Sequence, residues 1–176
     1  MINKQLTDKK GMTLLELIVV IAVVAILAGI SGTAYTKFIK RARESAALAT
    51  LDSVRKALLM LETDSRLWPG AKSSNECKSS GDEYPDLLAD NVGLFNNNGG
   101  FPDWEWDGPY LSEEFLDKSG EFTDPWGQPY FLDCDYRIDG VDYVAVGSFG
   151  PNKVGMNNYD SDNLYVIVST DEIHPE

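Results

Sequence analysis

Three groups of side chains in this sequence have the types and spacing to do chemistry. The first is a lone carboxylate: between Met12 and Thr36, Glu16 is the only charged residue. A carboxylate at mid-membrane costs on the order of 2.5–3.5 kcal/mol on insertion scales, so it requires a partner, and no Lys or Arg lies on the apolar side. A cut after Gly11 would create an ammonium at Met12, four residues from Glu16, and a second copy packed alongside could offer the same cation in trans. Without the cut, Glu16 is the solvated end of a plain anchor at the level of the lipid headgroups. The second group lies between Ser148 and Asn163, where Asn152, Asn157, Asn158, Asp160, Asp162 and Asn163 cluster. Calcium takes about six to eight oxygen ligands, and such a stretch supplies them. The spacing is not that of an EF-hand, and a merely solvated turn is the other reading. The third is Cys77 with Cys134, which form no CxxC. In an exported protein they make one disulfide; in a compartment lacking an oxidase they are two buried thiols.

Other chemistry is poorly supplied. His174 is the only histidine and is the third residue from the last position given, counting that position, so no Ser–His–Asp or Cys–His arrangement and no His/Cys zinc site is expected, nor an enzyme. Gly150-Pro151-Asn152-Lys153-Val154-Gly155 has the glycines of a phosphate loop but lacks the Lys-Ser/Thr pair that would reach phosphate and magnesium. Charge divides the chain. Residues 1–11 carry +2, residues 12–60 carry +3, and residues 61–176, with six basic against 24 acidic side chains, carry −18 of a net −13. The basic end should stay cytoplasmic and the acidic part be exported. An acidic part of this size repels phosphates, which argues against nucleic acid as a partner.

These groups need elements to hold them. From Leu17 to Ile30 the chain is almost unbroken apolar sequence, and as a helix the stretch from Met12 to Thr36 is long enough for a bilayer core of ~30 Å. Tyr35 to Leu61 contains no Pro or Gly, and Leu51, Val54, Leu58 and Leu61 recur at helical spacing. One helix from near Met12 to near Glu62 follows, ended by Trp68-Pro69-Gly70. Residues 70 to about 125 are irregular, with short helices expected over Pro85–Asn91 and Ser112–Lys118, and with Trp104, Trp106 and Tyr110 burying against the helix. Tyr130–Leu132, Tyr143–Val146 and Leu164–Val168 read as three strands, the first two joined by an Asp139-Gly140 hairpin. A small antiparallel sheet packed on the amphipathic half of the helix makes the class α+β.

Lys9-Lys10-Gly11-Met12-Thr13-Leu14-Leu15-Glu16-Leu17 resembles the class III signal of type IV pilins and pseudopilins. The resemblance implies that a prepilin peptidase cuts after Gly11 and that Met12, standing where the family usually has Phe, is N-methylated. Glu16 then falls at the fifth mature position, where it serves subunit assembly. Trp106-Asp107-Gly108-Pro109-Tyr110-Leu111, Asp124-Pro125-Trp126-Gly127-Gln128-Pro129-Tyr130 and Val146-Gly147-Ser148-Phe149-Gly150-Pro151-Asn152 resemble the head of the major pseudopilin of type II secretion. That likeness implies a pilin-like fold and a structural calcium ion in the last inter-strand loop. Asp160 and Asp162 would match its acidic ligands, a carbonyl near Ser148 would add to them, and Asn152 stands where an aspartate is frequent.

The expected organisation is a leader over 1–11, a transmembrane and assembly half-helix over 12–36, and a periplasmic head over 37–176. The function implied is that of a pseudopilus subunit for protein export. Its partners would be further copies of itself, minor pseudopilins, the inner-membrane assembly platform, the prepilin peptidase and the membrane. The chain would cross the bacterial inner membrane once before assembly. A type IV pilus for adhesion or motility is the alternative. A monomeric membrane-anchored protein that binds cations or another ligand, needing neither the cut nor Glu16, is a third.

Overall fold

The computed structural model describes residues 11–98, 100–155 and 160–169, without the side chains of 27–34, Ser74 and Ser169. The leader before Gly11, His174, and Asn157 and Asn158 of the oxygen-rich stretch lie outside the described residues. The chain divides into two compact units, Met1–Arg41 and Ala42–Glu176. Helix α1, Leu14–Ser65, contributes to both.

Its start is set by a capping box spelled in the sequence as Thr13-Leu14-Leu15-Glu16. Glu16 N–H donates to Thr13 Oγ1 (3.2 Å), and Thr13 N–H donates back to the Glu16 carboxylate (3.0 Å). Its end comes three residues beyond the expected Glu62, where Arg66 turns left-handed at φ 56°. Ser65 bridges that turn: its hydroxyl donates to Leu61 O (2.7 Å) and accepts from Leu67 N–H (3.1 Å). Within the first unit the apolar side chains from Leu14 to Ile26 are open, Leu14 at 75% and Ile26 at 63% exposure. Among the described residues no helix is long and apolar enough to cross a membrane; the expected span includes 27–34.

The second unit is α+β, an amphipathic helix packed on an antiparallel sheet. That sheet has four strands in the order β1-β2-β3-β4: Glu83–Tyr84, Phe131–Ile138, Val141–Ser148 and Leu164–Ser169. The two-residue β1, absent from the sequence reading, pairs with Asp133 and Leu132. Asp139 and Gly140 both have positive φ, 50° and 84°, as a two-residue turn matched to strand twist demands. Leu132, Cys134, Val144, Val146 and Val168 meet Ala47, Leu51, Val54, Leu58 and Leu61 of α1 in one buried cluster. Burying each Leu or Val contributes roughly 1.5–3 kcal/mol. A bulge between Asp133 and Tyr136 shifts the alternation of β2, so Tyr136 joins Phe131, Ala145 and Phe149 in a second cluster rather than following Cys134 inward.

The long connection differs from expectation in three places. Pro85–Asn91 is not a helix but ends in a 3₁₀ turn, Asp90–Val92, because its donors are used elsewhere. Leu87 N–H bonds Tyr130 O, and Leu88 N–H bonds the Asp86 carboxylate. Ser112–Lys118 likewise reduces to a 3₁₀ turn, Glu113–Phe115, with no bond from the Ser112 side chain. Trp104 does not bury: it is 85% exposed, while Trp106 and Tyr110 pack edge-to-face at the margin of the core. An unexpected helix α2, Ser74–Ser80, carries its own capping box between Ser73 and Glu76.

Candidate functional site

The structure gives Glu16 a partner that the sequence reading did not name. Its Oε2 accepts from both the backbone N–H and the hydroxyl of Thr13, each at 3.0 Å. Thr13 is the residue after Met12, so the carboxylate is aimed at the end of the chain that a cut behind Gly11 would expose. The T-x-x-E spacing was the available signal. The helix N-terminus adds its positive dipole end to these two donors, which lowers the cost of carrying the carboxylate in an apolar segment.

The oxygen-rich loop brings its three candidate side-chain ligands together. Asn152 Nδ2 donates to Asp160 Oδ2 (2.6 Å) and to Asp162 Oδ1 (2.8 Å), and Asn152 N–H donates to Asp162 Oδ2 (3.1 Å). The Asn152 carbonyl oxygen faces the other way and accepts from Val154 N–H (2.7 Å). Asp160 is held below the usual carboxylate range, chiefly by the Asn152 amide. The two ends of the loop also touch, since a Cβ on Gly150 would collide with the backbone carbonyl of Asp162.

Ser148 entered the expected set through a carbonyl near it, and its side chain serves another contact. It is fully buried and donates to Asp124 Oδ2 (2.6 Å), while its oxygen accepts from Gly150 N–H (3.1 Å). Asp124 Oδ1 in turn accepts from Trp126 N–H and Gln128 N–H, both at 2.9 Å. The Asp124-Pro125-Trp126-Gly127 turn and the end of β3 are thereby tied by one carboxylate. In the loop, Asn152 points its nitrogen, a donor, between the two carboxylates. Among the described residues no group of three or more His, Cys, Asp or Glu is placed to hold a metal ion.

Cys77 of α2 and Cys134 of β2 form a disulfide, with Cα atoms 5.5 Å apart. Of the two readings open for the cysteines, the structure has the bonded one. Cys134 N–H also bonds Asp82 O (3.0 Å), and Lys72 pairs with Asp82, so the α2 region is fastened to the sheet covalently and by polar contacts. Asp133, beside Cys134, is a buried carboxylate that sequence reading missed, since an acidic residue in a strand gives no burial signal.

Comparison with known proteins bears on the N-terminus. Residues 6–32 match the family model of the prokaryotic N-terminal methylation motif. No curated protein matches the chain, and no solved structure does. The motif indicates an N-terminus of the type IV pilin-like kind, processed by a prepilin peptidase and associated with a membrane. It does not separate secretion pseudopilins from pilus subunits.

Proposed function

We propose that this protein is the structural subunit of a periplasmic pseudopilus that drives protein export by type II secretion. The observation that carries the reading is Glu16, seated at the capped start of a helix whose apolar side chains from Leu14 to Ile26 are exposed, inside a prepilin-type motif. After cleavage behind Gly11, the Met12 amine becomes the nearest cation to Glu16, in its own subunit or in a neighbour. Extraction from the inner membrane then exchanges lipid contacts for contacts between helices. The role is structural rather than catalytic, in keeping with a chain whose only histidine is His174.

The test is Glu16→Ala in the producing bacterium. We expect membrane insertion and leader cleavage to survive while filaments, followed by shearing or by cross-linking of neighbouring subunits, fall below a tenth of the wild-type amount. Normal filaments from that variant would reject the polymer reading and favour a monomeric anchored binding protein. Loss of exoprotein in the medium upon deletion of the subunit supports secretion. Loss of surface filaments with secretion intact would move the assignment to a type IV pilus.

A further inference from the structure

We propose that the Asn152 amide bridges Asp160 and Asp162 in place of a cation, so that the loop between β3 and β4 closes without metal. The inference goes beyond the polymer role and is independent of it. A carboxamide has two N–H donors and one carbonyl acceptor. At Asn152 both donors are taken by different carboxylates, at 2.6 and 2.8 Å, and the carbonyl takes Val154 N–H at 2.7 Å. The orientation is therefore fixed by three contacts. Turning the amide over would aim a carbonyl oxygen at two anions and would leave Val154 N–H facing a nitrogen donor.

The position of the bridge suits the task. Asn152 follows the Gly150–Pro151 turn, and Asp160 and Asp162 sit just before β4, so a single side chain joins the two ends of the connection. Asn152 N–H and Asp162 N–H, which donates to Asp160 Oδ1 at 3.3 Å, add dipoles that favour the two negative charges. An aspartate at 152 would change this balance. Three carboxylates would then converge with no donor among their side chains, and a divalent ion would be needed to hold them. The choice of Asn over Asp at one position thus decides whether the loop depends on calcium.

The experiment is thermal unfolding of the full-length chain in detergent micelles, followed by tryptophan fluorescence, in excess calcium and in excess EDTA. Wild type is expected to melt at the same temperature in both. Asn152→Asp is expected to melt on the order of 5 °C lower in EDTA and to recover in calcium. A wild-type melting temperature that rises with calcium by as much as the variant's would overturn the proposal, as would a variant indifferent to both. Calorimetric titration of calcium into wild type is a second measurement, valid even if the variant does not fold. No saturable heat is expected, whereas saturable binding that disappears in Asp162→Ala would sink the idea.

Discussion

Asp133 sits in β2 with Glu83 of β1 and Ala145 of β3 as its register partners, and only 1% of its surface meets solvent. Burial, with the negative charges of Asp135 and Glu83 adding to it, pushes its carboxyl up from 3.8 to about 7. The folded chain therefore keeps a proton that the unfolded chain gives up. The stabilisation this carries is fully present below the ordinary carboxylate pKa and is lost as pH rises from about 4 to about 7. Other carboxylates shift the opposite way, among them Asp160, lowered first by Asn152, and Asp82, lowered first by Lys72. The pair wild type and Asp133→Asn isolates the effect. The asparagine keeps an acceptor for Asp135 N–H, now bonded at 2.9 Å, but cannot ionise. We expect the two melting temperatures to be close near pH 4 and the variant to gain steadily on wild type up to about pH 8. A difference that stays constant over that range would show that Asp133 does not titrate there. The type of residue at Asp133 does not announce burial. Asp133 follows the apolar run Tyr130-Phe131-Leu132, but a carboxylate after such a run reads as its end, and only strand pairing on both sides encloses it. Asp124 is similar: the Asp124-Pro125-Trp126-Gly127 turn was legible from its residues, but the bond to Ser148, 24 residues on, was not.

Elements were legible where local chemistry dictates the backbone. Asp139-Gly140 needed no tertiary information, because few residue pairs tolerate positive φ at both turn positions. The amphipathic half of α1 was visible because helical periodicity and burial coincide from Leu51 to Leu61. Helix α2 was not, since Ser, Asn and Cys are indifferent helix formers; its Ser73-x-x-Glu76 capping box was the one signal that could have found it. Strand β2 was read too short because its second half, Asp133–Arg137, is dominated by charge. The disulfide compensates for the weak intrinsic preference of α2. It closes a loop across a sequence separation of 57, which by loop-entropy reasoning contributes about 4 kcal/mol. Replacing both cysteines by serine, or adding reductant to wild type, should lower the urea midpoint of the head, with a steeper slope as the unfolded chain expands. An unaltered midpoint would mean that the core holds α2 without the bond.

At the scale of the whole molecule, the described core begins at Ala47 and is complete within the second unit. A chain starting at Ala42 should therefore fold alone, remain monomeric, and show the Cys77–Cys134 bond and a cooperative melt. Failure of that fragment to fold would show that the first forty-one residues are part of the folding unit rather than an appendage of different purpose. The sequence made this division legible through charge, +5 before residue 61 against −18 after it, and through the change from continuous to periodic apolar patterning. The same disulfide gives the head a property of another kind. Cys77 and Cys134 close a covalent ring whose circumference includes the Trp104 turn, the most exposed large hydrophobic side chain described. A protease that cuts there linearises the ring but frees no piece. The nicked protein stays one molecule until its sulfurs are reduced, so in an oxidising compartment the exposed turn can be lost to digestion without the subunit coming apart.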